Sequence, residues 1–171
     1  LCYGGGVKSL LEAKTLINLG VEKVALSSAC MSNPYLITEI SEVLGSQSVV
    51  CVLDIRKKKK IFSEKYIITT LNGKLEHSCD LLEKIIEVQK MGAGEIIINS
   101  VDRDGTMMGY DLELVRLLRD HVKIPTTFLG GCGSTDDMQK LMQTWGIVGA
   151  SAASLFVFKG KYRAVLINYP S

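Results

Sequence analysis

The sequence predicts an α/β protein built on a parallel sheet. Two observations carry that expectation. Short β-rich runs alternate with amphipathic stretches at helical spacing, the order that βαβ units require. The chain also repeats itself. Gly4-Gly5 through Ser28 aligns without gaps with Gly130-Gly131 through Ser154, at a constant offset of 126 residues, with Lys14/Lys140 and Gly20/Gly146 in the same register. The matches fall at helix stops and strand ends, where βα units need special residues. Such a repeat points to a (β/α)8 barrel with two similar halves.

Strands are expected at residues 1–3, 23–27, 48–54, 95–100, 126–129 and 147–153. Helices fill the gaps between them. Ser9 and Glu12 form a capping box, in which Ser9 bonds the Glu12 amide and Glu12 reaches back. The helix that follows places Leu11, Leu16 and Ile17 on one side and stops at Gly20. Asn33-Pro34 reads as an N-cap followed by proline at the first helical position. Leu36, Ile40, Val43 and Leu44 then make a helical stripe that Gly45 ends. Ser78, Asp111 and Ser134 are candidate caps for later helices. Leu71-Asn72-Gly73-Lys74 between two β-rich runs suggests a hairpin, inserted after the third strand. No low-complexity linker divides the chain, so residues 1–171 are expected to be one domain.

Composition narrows the classes. Of 171 residues, 47% are apolar and 22% charged, which suits a sizeable core. The net charge of +2 gives no broad pull towards nucleic acid or membranes. Apolar runs are too short for a membrane span, and no signal peptide is visible. The cysteines, Cys2, Cys30, Cys51, Cys79 and Cys132, are odd in number and scattered. They suggest neither a disulfide framework nor a metal site, and reduced thiols fit the cytoplasm.

In a parallel barrel the C-terminal strand ends form the active face. These ends offer Gly4-Gly5-Gly6, Ser27-Ser28, Asp54, Asn99-Ser100, the loop Asp102-Arg103-Asp104-Gly105-Thr106, Gly130-Gly131-Cys132-Gly133, and Ala153-Ser154. Glycine lets backbone amides approach an anion closely. Gly6 with Ser28 makes one candidate phosphate cradle and Gly131 with Ser154 the other, on opposite sides of the barrel mouth. The glycines could serve turns alone, but two matched runs paired with strand-end serines favour a substrate with a phosphate at each end. Asp54 closes an apolar run. A partly desolvated carboxylate there is a candidate general acid or base, against the plainer reading of a loop-starting cap. In the 102–106 loop, Arg103 is expected to pair with a neighbouring acid, leaving one aspartate to face substrate.

Strand periodicity adds Lys23 and Glu95. If Ser27 and Asn99 point into the barrel, so do these residues four positions earlier, at the opposite end. They are either an ion pair plugging the bottom or a polar gate. The run Arg56-Lys57-Lys58-Lys59-Lys60 reads as a solvated loop face. His77 and His121 lie near helix ends and are not expected to be catalytic. Trp145 and the methionines read as packing.

At these residues the chain resembles a family. Gly4-Gly5-Gly6-Val7, Asn33-Pro34, Leu53-Asp54, Gly94-Glu95-Ile96, the 102–106 loop, Gly109-Tyr110-Asp111-Leu112-Glu113-Leu114 and Gly130-Gly131 look like the cyclase subunit of imidazole glycerol phosphate synthase. Tyr110-Asp111 favours the cyclase over its sister isomerase. The resemblance implies a TIM barrel, of which the visible strands are the third to the eighth, so that the first two βα units are lacking. It implies a lyase of histidine biosynthesis that uses ammonia and a bis-phosphorylated ribulosyl aminoimidazole carboxamide nucleotide. The products are imidazole glycerol phosphate and the aminoimidazole carboxamide ribonucleotide. It implies a glutaminase partner that docks on the barrel bottom, an internal ammonia route, and no cofactor. Asp54 matches the catalytic aspartate of the fifth family strand. Gly6, Ser28, Asp104, Gly105, Gly131 and Ser154 match substrate- and phosphate-contacting positions, to which the strand ends add Ser27, Asn99 and Ala153. Lys23 and Glu95 match two members of the charged ammonia gate.

The chain departs from the family pattern in three places. The second catalytic aspartate, on the family's first strand, has no counterpart, so these 171 residues alone are expected to be inactive. Leu129 stands where serine is usual, and the position of Ser27 is commonly asparagine. The stretch after Ser154 does not read as the usual long final helix. The tail and Leu129 resemble a paralogous branch associated with sugar amidation in surface polysaccharide synthesis. A non-catalytic barrel that docks a glutaminase is the alternative of another class.

Overall fold

The computed structural model describes residues 1–60, 63–159 and 164–165. The elements alternate as the sequence pattern requires. Strand β1 (Cys2–Gly4) leads to helix α1 (Leu10–Asn18), then β2 (Lys23–Leu26), the short α2 (Ser28–Ser32) and α3 (Tyr35–Leu44). Strand β3 (Val49–Lys60) turns back into β4 (Ser63–Thr70) and β5 (Leu75–His77) before α4 (Leu81–Lys90). Then follow β6 (Glu95–Ser100), α5 (Leu112–Leu118), β7 (Thr126–Leu129), α6 (Thr135–Trp145), β8 (Gly149–Ala150) and α7 (Ser154–Val157). Beyond α7, β9 (Phe158–Lys159) pairs antiparallel with β10 (Ala164–Val165).

The parallel strands lie in the order β1-β2-β3-β6-β7-β8. Every crossover therefore advances by one neighbour in the same direction. That is the winding of a (β/α)8 barrel, whereas a doubly wound sheet reverses direction partway. The hairpin β4–β5 hangs off β3, with Thr70 paired to Leu75 around the Asn-Gly turn. Asn72 and Gly73 both have positive φ, 59° and 77°, and the Lys74 amide closes the turn on the Leu71 carbonyl at 3.3 Å.

Alternation along the strands sorts the two sheet faces. Val24, Leu26, Cys51, Leu53, Ile55, Ile96, Ile98 and Phe128 are buried against the helices. They meet Leu36, Ile37 and Ile40 of α3, Ile85 and Val88 of α4, Leu114, Val115 and Leu118 of α5, and Leu141 of α6 in one core. The intervening residues, Lys23, Asp54, Glu95, Asn99 and Thr127, occupy the other face.

The repeat has a structural counterpart. Gly5 and Gly131 take φ of +117° and +97°, and Gly20 and Gly146 take +95° and +106°. Helices α2 and α7 begin on the matched serines, Ser28 and Ser154.

Several local expectations are corrected. Arg56 to Lys60 is strand, because β4 supplies a partner and the first three cations meet acids. Arg56 faces Asp102, Lys57 meets Glu64 and Glu113, and Lys58 meets Glu76. Asp80, not Ser78, caps α4, accepting from the Leu82 and Glu83 amides. Glu12 reaches back to the Lys8 amide, one residue before the box predicts. Pro34 is itself the N-cap residue of α3. Leu11 is exposed, and α1 instead buries Ala13 with Leu10, Leu16 and Ile17 beside it. Val43 is exposed while Ile37 is buried. Strand β8 is short, since among the described residues it pairs only with β7. After Ser154 the helix lasts four residues and gives way to β9. Residues 166–171 lie outside the described residues.

Candidate active site

Strand register brings the predicted groups into three clusters at the C-terminal ends. Asp54 on β3 stands opposite Asn99 on β6, and Asn99 opposite Leu129 on β7. The Asn99 amide Nδ2 donates to Asp54 Oδ1 at 2.8 Å. Both side chains are half-buried. Asp54 thus sits near the end of the parallel segment of β3, its carboxylate held by the Asn99 amide. The Thr69 hydroxyl donates to its backbone carbonyl at 3.3 Å from the hairpin side.

On one side of this pair lies a cleft of about 470 Å³ between the β1 and β2 ends. Gly6, Ser27 and Ser28 line it, together with Lys8 and Asn33. Leu71 also lines it, from the hairpin turn. Sequence reasoning missed Leu71, although the Asn-Gly turn beside it marked the hairpin. On the other side a much smaller recess gathers Asp104, Gly105, Gly131, Ala153 and Ser154 with Cys132. In strand order β3 and β6 separate the two cradles, so Asp54 and Asn99 stand between them.

The loop after β6 is tied down at several points. Asp102 accepts from the Lys57 amide at 2.6 Å and faces Arg56 Nε at 3.7 Å. Among the described residues Arg103 pairs with no acid, contrary to expectation. Its guanidinium donates to the Met108 carbonyl at 3.2 Å. Asp104 is exposed at the recess. The Gly109 amide donates to the Gly131 carbonyl at 2.7 Å, and the Tyr110 hydroxyl to the Ser151 carbonyl at 2.8 Å. Tyr110 therefore clamps this loop to the β8–α7 turn. Burial, then contact with Cys132, pushes its hydroxyl well above the ordinary tyrosine range. Asp111 caps α5 through the Leu114 amide and accepts from the Tyr66 hydroxyl on β4. Tyr66 is not marked by any sequence pattern, and Tyr110 is marked only as a family motif residue, because the contact each makes is with a partner distant in the chain.

At the opposite sheet end, Lys23 Nζ and Glu95 Oε2 meet at 2.7 Å across the intervening β3. Thr127 donates to the other oxygen, Oε1, at 2.9 Å. The hydrogen bond to Glu95 raises the Lys23 ammonium above its usual value. Among the described residues no three His, Cys, Asp or Glu side chains come together to hold a metal ion, and no helix is long and apolar enough to cross a membrane.

Comparison with known proteins gives the family. The model of the histidine biosynthesis protein family matches residues 1–163. The chain belongs to that family, as the motif resemblance to imidazole glycerol phosphate synthase implied, and its sheet is part of a TIM barrel. It is 52% identical over 171 residues to a Vibrio vulnificus protein provisionally named imidazole glycerol phosphate synthase subunit hisF3, covering 100% of this chain and 65% of that protein. It is 47% identical over 171 residues to a Leptospira borgpetersenii protein provisionally named subunit HisF, covering 100% and 66%. To the imidazole glycerol phosphate synthase subunit HisF of Dictyoglomus thermophilum it is 36% identical over 158 residues, covering 92% and 61%. The chain thus spans just under two thirds of the length of these curated relatives.

Proposed function

We propose that this chain carries most of the active face of an ammonia-using cyclase of the imidazole glycerol phosphate synthase type, in cytoplasmic histidine biosynthesis. The observation that carries the reading is the Asp54–Asn99 pair standing between two matched glycine–serine cradles. A substrate with a phosphate at each end spans that layout. Gly6, Ser27 and Ser28 receive one phosphate. Gly131, Ala153 and Ser154, with Asp104 and Gly105, receive the other. The backbone amides around the glycines suit oxyanions.

Ammonia adds to the ketone of the bis-phosphorylated nucleotide, and loss of water leaves an imine. Ring closure then expels the aminoimidazole carboxamide ribonucleotide and leaves imidazole glycerol phosphate. Each stage moves protons, and Asp54 is the group placed to relay them. Lys23 and Glu95 act as an ammonia gate at the far end, where a glutaminase subunit docks. The second acid of the family pattern has no counterpart in residues 1–171, so these residues alone give no turnover.

Asp54→Asn in the complete protein tests the assignment. Ammonia-dependent imidazole glycerol phosphate formation is expected to vanish while the thermal unfolding midpoint stays close to wild type. Retained turnover would sink it.

A second reading, sugar amidation by the paralogous branch, is favoured by Leu129 on the inner face and by the four-residue α7. Purified complete protein supplied with ammonia and the bis-phosphorylated nucleotide separates the two, because only the cyclase releases imidazole glycerol phosphate. A glutaminase that is stimulated without any ammonia-dependent product would indicate a docking barrel.

A further inference from the structure

Asn99 carries a buried polar atom with no partner among the described residues, its side-chain oxygen Oδ1. Buried acceptors of this kind are rare, and leaving one unpaired costs stability. The orientation is fixed by chemistry. An ionised carboxylate only accepts hydrogen bonds, so Nδ2 must face Asp54 and Oδ1 must point away from it. The amide is therefore committed on one side and buried without a partner on the other, beside Gly130.

Its location gives the unpartnered oxygen a meaning. Asn99, Ile97 and Glu95 alternate along one face of β6. At about 3.3 Å per residue the row runs on the order of 13 Å, from the Lys23–Glu95 pair up to Asp54. What meets Oδ1 must donate a hydrogen bond and must tolerate a carboxylate next to it. A phosphate oxygen does neither. A small N–H donor arriving along this face does both.

Resting on the cyclase reading above, we infer that Asn99 works through both halves of its amide. Nδ2 positions Asp54, and Oδ1 accepts an N–H of the ammonia nucleophile and holds it beside that carboxylate. The stability forgone at the orphaned oxygen is recovered when ammonia binds.

Two variants of the complete protein separate the halves. Asn99→Leu keeps the volume and removes both donor and acceptor. Its thermal midpoint is expected at or above wild type, with kcat lowered, the KM for ammonia raised about tenfold and the KM for the phosphorylated nucleotide within about twofold. Asn99→Asp keeps an oxygen acceptor and loses the donor to Asp54. It is expected to lower kcat about tenfold while the KM for ammonia stays within about threefold. An unchanged ammonia KM in Asn99→Leu, with an active wild type, overturns the inference alone. So does a rise confined to the nucleotide KM, which would assign the acceptor to the substrate's own N–H. A lowered thermal midpoint in Asn99→Leu would mark the residue as structural and also overturn it. A wild-type protein without ammonia-dependent turnover overturns the cyclase reading and this inference with it.

Discussion

Lys23 and Glu95 sit on strands that are not neighbours, yet their side chains meet at 2.7 Å over the inner face of β3. The contact is specific without being strong. The Lys23 side chain is 42% exposed, so solvent screens the pair and its net worth is below about 1 kcal/mol. Glu95→Gln should therefore cost little stability between pH 6 and 9. Lys23 is raised above its ordinary 10.5 by the bond to Glu95. A raised cation stabilises the fold at all pH values below its ordinary one and loses that contribution as pH climbs through the raised value. The stability difference between wild type and Glu95→Gln is thus flat through neutrality and closes only above pH 10.5. If the pair gates ammonia, Glu95→Gln lowers glutamine-driven turnover about tenfold while turnover on added ammonia falls less than about threefold. Equal losses in the two assays would remove the gate.

Tyr66 links the hairpin to the active face. Its hydroxyl donates to Asp111, which also caps α5 at the end of the loop that carries Asp104 and Gly105. Tyr66→Phe removes one hydrogen bond and leaves the cap, a loss of about 1 kcal/mol in urea unfolding. Burial, and secondarily the Asp111 charge, push the Tyr66 hydroxyl above its ordinary 10.0. The folded state therefore favours the neutral phenol. That contribution is complete below pH 10 and is lost as pH rises beyond it. Wild type should outlast Tyr66→Phe at pH 8, and the advantage should shrink above pH 10. A constant difference across that range would show that Tyr66 does not titrate against the fold.

The hairpin lysines make a different forecast. Lys57 meets Glu64 and Glu113 and lies 5.8 Å from the Tyr66 ring centre, while Lys58 meets Glu76. These are surface pairs, so Lys57→Ala and Lys58→Ala should each leave the urea-unfolding midpoint close to wild type. The effect should fade further in molar salt. A large drop in that midpoint from either would mean that the hairpin strand is held by charge and not by its ladder.

These lysines also show where the sequence stops being legible. Strands β6 and β7 were readable to the residue, because apolar runs bounded by helix stops have one fit to a parallel sheet. The end of β3 was not, because five successive cations predict solvent unless the acids that meet them are known. Glu64, Glu76, Asp102 and Glu113 come from four different segments. The glycine and serine positions at the strand ends were legible through the repeat, since these residues have a local reason to be there. The Asp54–Asn99 bond and the Tyr110–Ser151 clamp were not, because each depends on register or on a loop path that no local pattern encodes.

The two cradles should respond differently to the same substitution. Gly6 has φ +78° and an added methyl would meet nothing within 4 Å. Gly6→Ala therefore costs only the left-handed strain, about 1–2 kcal/mol. Its methyl projects into open space at the β1–β2 cleft. If phosphate binds there against the backbone, the KM for the phosphorylated nucleotide rises while that for ammonia does not. Gly131 has φ +97°, and a methyl there would overlap the Gly109 carbonyl oxygen and press on Arg103 Cβ at 3.1 Å. Gly131→Ala must break the Gly109–Gly131 bond that anchors the 102–111 loop, so strain and displacement add to about 3 kcal/mol or more. Urea unfolding of the two variants, with KM measured for both substrates, checks the contrast. Equal destabilisation would mean that the loop yields at Gly109, and an unchanged nucleotide KM in Gly6→Ala would remove the first cradle from the phosphate site.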